Sequence, residues 1–568
     1  MKIIFVLIST TVLFLLPAKN LYAGHDTVIV TAEDIAALQA HTMSDILNSV
    51  PGISAGSSSV SIHGNYKVKV FVDGRPLNDP TSSHGGIKWE MISPSDIARI
   101  EIMRGKGGVR YGQDASGGVI LITTKGGSRI SGNLKTFGGS QSRYYINGNL
   151  QATSGPYQAG INAGYETTDG YQVNNDKKQD QLGAKFGYAF HEQAHISFSG
   201  DFTESDRGSA GLPEYPTPFS RTKSNMQAYS MQADAYSIES KTFLNRGEKK
   251  NTDPSRNLDK SITVTDFNQE FDSSSLSKTW GKFNYGCGFY HGDASGTGFS
   301  DQDETTYSFY LINAHQFSSL PLNFSLGLRA NINSAFDNAY NPETKLTWKK
   351  KTWKATLSYS RTNNTPSFYQ RYNETSSTRP NPELGMETAD NYSIAVSAAV
   401  TQSIHGSMTL FHNRLSDRIT YTYGNRGIGQ YQNVGSATYT GGDLSFTWTP
   451  ADSLTCRTNY TYLEAKDSDT DKYLPAKPKH KGRITAIYRP TEEISLILIG
   501  RGGSMAYRNR ANTLSVAGYF IADFKMEYNF KHFSLFTETT NIFDKEYYYV
   551  DGLLAPPRAW FAGINIRI

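Results

Sequence analysis

The sequence predicts a long antiparallel β-barrel that crosses a membrane, preceded by a small mixed α/β domain. Three observations carry this. From Ser128 onward, over about 440 residues, apolar and polar side chains alternate in repeated hairpins, as in strands with one face in lipid and one toward a lumen. Aromatic residues make up 12% of the chain, with 35 Tyr and 29 Phe against 6 Trp, enough to line girdles at two membrane interfaces. Mean hydropathy is negative, and no apolar run reaches the roughly 20 residues of a membrane helix. A soluble sandwich also alternates, but the pattern outlasts the usual size of one soluble domain.

Residues 1–23 read as a signal peptide. Lys2 supplies the charge, Ile3 to Leu16 the apolar core, and Leu21-Tyr22-Ala23 the cleavage site. The β-branched run from Asp26 to Ala32 follows. It suits either the first strand of the next domain or a free segment that adds as a strand to a partner's sheet. Glu33 to Asn48 reads as one helix with Ile35, Leu38, Ile46 and Leu47 on its apolar face. Polar loops are expected over Ser54–Ser59 and Leu77–Lys88. Lys67–Val72 alternates and ends at Asp73-Gly74, a pair suited to a two-residue hairpin turn. A short helical segment is expected after Pro94, from the spacing of Ile97 and Ile100. A glycine-rich passage from Gly105 to Gly118 leads into the strand Val119–Thr123.

In the second part, Ala184, Phe186, Tyr188 and Phe190 alternate, a turn follows at His191-Glu192-Gln193, and Ile196, Phe198, Gly200 and Phe202 alternate again. Trp348 and Trp353 flank a Lys349-Lys350-Lys351 turn, which places rings at headgroup level and charges in water. Trp560, Ala562, Ile564, Ile566 and Ile568 share one face of a final strand. At 9–11 residues per strand, about 22 strands would use half of the second part. Long loops should face outward and short turns the opposite side.

Chemistry is sparse. The net charge of +4 is too mild to imply nucleic acid, and Cys287 and Cys456 lie too far apart to read as a disulfide framework. Arg104 to Gly108 lacks the spacing of a phosphate loop. His191 and His195 have a ligand-like spacing but flank a turn, so no metal is assigned. Asp301, Asp303 and Glu304 form an acidic cluster without calcium-loop spacing. The segment Gly211-Leu212-Pro213-Glu214-Tyr215-Pro216-Thr217-Pro218-Phe219 suits a ligand-contacting loop and equally one that folds on itself. No catalytic constellation and no cofactor site is read.

The first domain resembles the plug of TonB-dependent outer-membrane receptors. The matching residues are Leu47, Pro51-Gly52-Ile53, Ile62-x-Gly64, Val72-Asp73-Gly74, Pro94-x-x-Ile97, Ile100-Glu101, Arg104-Gly105, Tyr111-Gly112 and Gly117-Gly118-Val119-Ile120. His63 stands where the family usually has Arg, and Leu121 where it often has Asn. The barrel half is similar at Thr365-Pro366-Ser367-Phe368, Asn381-Pro382-Glu383-Leu384 with Glu387, Tyr431-x-Asn433-Val434-Gly435, Asn459 to Tyr462, Pro478-Lys479-His480, Thr540 to Tyr547 and Pro557-Arg558. The family usually ends in Phe; this chain ends in Ile568.

The resemblance implies an all-β transmembrane barrel of about 22 antiparallel strands with the α/β plug inside it. The expected division is a signal peptide over 1–23, a periplasmic segment over 24–34, a plug over 35–127 and a barrel over 128–568. It implies a monomer in the outer membrane of a Gram-negative bacterium that takes up a ferric siderophore or, alternatively, cobalamin. The energy would come from TonB, with ExbB and ExbD in the inner membrane, through a TonB box at Asp26, Thr27, Val28, Ile29, Val30 and Thr31. Ligand contacts are expected at the plug apices: Ser57, Ser58, Asn65, Tyr66, His84 and Trp89. A passive porin would need neither plug nor box.

Overall fold

The structure is a computed structural model that describes residues 27–82, 85–126, 129–273, 276–278, 281–375, 377–423 and 428–568. The signal-peptide reading, Asp26 and His84 lie outside the described residues. Twenty-two long antiparallel strands, from Ile130–Gly139 to Ala559–Arg567, close into a barrel. Closure is direct: the last strand pairs with the first, with Ile566 opposite Leu134. A short piece, Leu276–Lys278, extends the wall beside Gly281–Gly296.

The alternation read from the sequence sets which face meets lipid. Phe186, Phe190 and Phe198 are exposed on the outside, as are Ile394, Leu410 and Leu498. Their neighbours point inward, and Asn147, Asn341, Thr362 and Ser534 are completely buried there. Trp348 and Trp353 meet edge to face at 4.3 Å, beside the lysine turn at the short-turn end of the barrel. Connections at that end span a few residues, such as 192–193 and 452–453. The opposite end carries the long ones, including 209–220, 365–386, 417–436, 504–518 and 541–558. The Pro-rich segment lies in one of these, where Arg508 pairs with Glu214 at 2.8 Å. Cys287 and Cys456 are free thiols.

The domain inside the barrel is built on a five-stranded sheet. Its order is Thr27–Thr31, Ile97–Arg104, Gly118–Thr124, Val68–Val72, Arg75–Pro76, and only the pairing of Val68–Val72 with Gly118–Thr124 is parallel. Val30, Ile46, Leu47, Ile100, Ile102 and Ile120 are fully or almost fully withdrawn from solvent in one core. Asp73-Gly74 makes the tight turn, both residues at positive φ (48° and 84°).

Two local readings are corrected. The expected helix over residues 33–48 is two short helices, Ala32–Ala37 and Met43–Leu47. Thr42 interrupts it: its side chain caps Asp45, which bonds back to the Thr42 amide, and such a box starts a helix rather than continuing one. Thr31 and Asp34 make the same box at the first helix. The segment after Pro94 is a single 3-10 turn, Pro94–Asp96, and Ile97–Arg104 is a strand of the central sheet. Ile100 and Ile102 alternate there, and β-branched residues favour the extended form.

Candidate functional site

The inner domain presents its apices to the long-loop end. Of the expected contact residues, Ser57 is exposed and Ser58 half-buried. Tyr66 stands clear of the plug, 40% exposed. Asn65 turns inward, with Nδ2 donating to Ser116 Oγ at 2.9 Å, so its side chain faces the plug and not the mouth. Trp89, expected as an aromatic anchor, is only 6% exposed and belongs to the plug core. It starts a 3-10 turn, and burying its large apolar surface outweighs leaving it in a loop.

Groups the sequence did not single out as ligand contacts gather above Tyr66. The Lys477 ammonium lies 3.7 Å from the centre of the Tyr66 ring. Its Nζ is buried without a hydrogen-bond partner. Burial, with Arg418 nearby, pushes its pKa down to about 7. Asp551 lies close enough to act on the Tyr66 phenol. Tyr473 stacks on Tyr507 at 6.0 Å and receives the Lys479 ammonium at 4.1 Å. The mouth therefore combines phenol rings with basic groups. These loop residues carry no periodicity, so the pattern that revealed the strands could not reveal them.

Other expected features change on folding. Asp301, Asp303 and Glu304 sit on the strand Phe299–Gln316, where alternation sends Glu304 inward to Arg371 and leaves Asp301 and Asp303 exposed. They form no common cluster. His195 pairs with Asp234 at 2.7 Å. Two stretches matched in the barrel half, at Asn381 and at Tyr431 to Asn433, do converge: Asn381 Nδ2 donates to the Tyr431 carbonyl at 2.8 Å, and Asn433 Oδ1 accepts from the Gly385 amide at 2.8 Å.

The inner domain is tied to the wall by buried polar contacts. Asp443 accepts from Arg104 at 2.8 Å and lies 2.7 Å from His63, whose ring stacks on Phe411 at 3.6 Å. His41 Nε2 meets Glu538 at 2.8 Å, and Lys525 pairs with the same carboxylate at 3.2 Å. Lys481 Nζ donates to Asn48, to the Ile53 carbonyl and to Ser54.

Thr27–Thr31, expected to hang free below the barrel, is instead the edge strand of the plug sheet. Val28 lies opposite Ile102, and the Val28 and Val30 side chains are buried. Apolar β-branched side chains gain more by covering the sheet than by staying in water.

Two family models match the chain. "TonB dependent receptor-like, beta-barrel" covers residues 107–542, and "TonB-dependent Receptor Plug Domain" covers 22–119. The Vitamin B12 transporter BtuB of Photobacterium profundum is 23% identical over 98% of this chain and 94% of its own length. BtuB of Vibrio vulnificus is 29% identical over 208 residues, 33% of this chain and 32% of the relative. Among solved structures, the siderophore receptor PirA from Acinetobacter baumannii superposes with a TM-score of 0.80 at 17% identity, over 96% of this chain and 98% of that one.

Proposed function

The chain belongs to the TonB-dependent receptor family, and from that premise we propose that it captures a metal chelate at the outer face of a Gram-negative outer membrane and imports it with energy from TonB. The single observation that carries the reading is a closed barrel filled by a plug whose apex faces the long loops. A passive porin has no use for such a plug. The monomeric barrel sits in outer-membrane lipid and alters no covalent bond.

A ferric siderophore is the first ligand proposed. Tyr66, Lys477, Arg418 and the Tyr473–Tyr507 stack suit a chelate with acidic oxygens and aromatic or planar groups. Ser57, Ser58 and His84 are kept as proposed apical contacts. Cobalamin is the second reading, favoured by the near-full-length similarity to a vitamin B12 transporter.

Residues Asp26 to Thr31 are proposed as the TonB box, with TonB driven by ExbB and ExbD. Because Thr27–Thr31 is docked, coupling on this reading begins with its release from Ile97–Arg104. Growth of a deletion strain on individual ferric siderophores, and separately on cobalamin, tests the function. Rescue by the cloned gene on one chelate is expected. Unchanged growth on every chelate tried would overturn the reading.

A further inference from the structure

The plug is not held evenly. From the strand Ala339–Lys350 round to Ile130–Gly139, direct contacts follow one another closely: Glu343 to the Gly107 amide, Ser360 to the Gly105 carbonyl, then Asp443, Lys481, Lys525 and Glu538 as above. Lys135 adds a bond to the Ala40 carbonyl at 3.1 Å. The void beside His63 and Arg104 on this flank is about 10 Å³.

The other flank, facing strands from Arg143–Ser154 to Leu322–Asn333, holds two larger spaces. An upper cavity of about 220 Å³ lies between Lys67, Lys69 and Asp114 of the plug and Asp266, Glu304 and Arg329 of the wall. A lower cavity of about 140 Å³ lies between Asp73, Asp96 and Gly126 of the plug and Gln151, Ser199 and Gln232 of the wall. Both linings mix apolar surface with carboxylate, amide and hydroxyl groups. Asn245 Oδ1 and Asn331 Nδ2 face the upper one without a protein partner, and groups of that kind are satisfied by water.

Little separates the two spaces. Arg75 pairs with Asp201 at 2.8 Å, and both residues line the lower cavity. Lys88 bonds Ser224, and Gln232 bonds the Asp73 carbonyl. Between these contacts the plug core rests on Met226 and Ala228 of the wall, a small apolar patch. Thr81 covers Gly247, which lies opposite Met226 in the sheet. Met226 is unbranched and flexible, and a Met side chain repacks readily.

We propose that the import route opens on this flank, with Arg75–Asp201 and Met226 as the seal between an outer and an inner wet chamber, while the opposite flank stays attached. This rests on the receptor reading for its purpose but not for its geometry. On this view, a polar solute passes along carboxylate, amide and hydroxyl walls and meets one narrow barrier.

The test needs neither ligand nor TonB. The purified full chain, with Cys287→Ser and Cys456→Ser, is placed in planar lipid bilayers and KCl conductance is recorded. Arg75→Ala with Met226→Ala should raise conductance at least about tenfold over the parent, since the two deletions join the chambers. A Cβ at Gly247 would lie 3.3 Å from Thr81 Cγ2, within reach of a disulfide after small adjustment. Thr81→Cys with Gly247→Cys should therefore suppress the current when oxidised, and reductant should restore it. Lys481→Ala, which cuts three contacts on the opposite flank, should stay at the parent level. Parent-level current in the double variant, current that ignores the cross-link, or equal current from Lys481→Ala would each overturn the proposal. Should the double variant lose the heat-dependent gel migration of a folded barrel, Arg75→Gln alone is judged by the same criteria. Conductance as expected without growth on any chelate would sink the receptor reading and leave the route standing.

Discussion

His41 shows what burial does to one residue. It sits in the plug against Phe137 and Phe536, with Lys135, Lys525, Glu538 and Asp45 around it. Burial, followed by Lys135, holds its pKa down to about 4, although Glu538 pulls the other way. The neutral ring donates from Nε2 to Glu538. Above pH 6.5 neither the folded nor the unfolded chain binds this proton. As the pH falls from 6.5 to about 4 the unfolded chain takes it up first, so stability drops by up to about 3 kcal/mol. Asp34 and Asp96, raised to about 6 by burial, act in the opposite sense, so the effect must be read as a difference between variants. His41→Phe should lose less melting temperature than wild type between about pH 7 and about pH 5. An equal loss in both would show that His41 is protonated in the folded chain. At the mouth, Tyr66→Ala with Lys477→Ala should weaken binding of whichever chelate supports growth by about tenfold or more, as loss of an aromatic–cation pair implies. Calorimetry that finds affinity within twofold removes this pair from the ligand site.

At the scale of elements, the strand Thr27–Thr31 is the instructive case. Its composition fits two uses, and the resemblance took it as the free segment. The structure places it at the sheet edge, and an edge strand is the one that can leave without breaking pairs on both sides. Ile29 and Glu101 face each other across that edge, both half-buried, so Ile29→Cys with Glu101→Cys should cross-link without cutting into the core. Oxidised, this variant should bind ligand normally and import none, and reductant should restore import. Import by the oxidised form would place the coupling segment before Thr27. The long strands were legible because a period of two persists whatever the loops do. The plug helices were half legible: Ile46 and Leu47 announced the apolar face, but Thr42 as a cap needs the backbone to be seen. Trp89 was misread because a residue in a polar stretch is not thereby exposed, and only three-dimensional packing decides. Lys477 was invisible for the converse reason: its partner Tyr66 lies about 400 residues away in sequence, and loop geometry carries no repeat.

For the whole molecule, closure dominates. Every wall strand pairs on both sides, so there is no edge at which unfolding can begin cheaply, and the outer face is apolar while the lumen is filled by the plug. Such a barrel should resist detergent at room temperature and yield only on heating. Unheated samples should therefore migrate faster on a denaturing gel than boiled ones, and the protein should fractionate with outer membrane. The plug contributes differently. Asp443 holds both Arg104 and His63, and its removal leaves a buried cation unpaired, which costs about 3–5 kcal/mol. Asp443→Ala should thus leave the heat-dependent migration of the barrel intact and make the plug alone sensitive to protease. Loss of both together would mean that plug and barrel fold as one cooperative unit. Recovery of the native chain as a soluble periplasmic protein would contradict the barrel itself, since a belt carrying Phe186, Ile394, Leu410 and Leu498 has no other solvent than lipid.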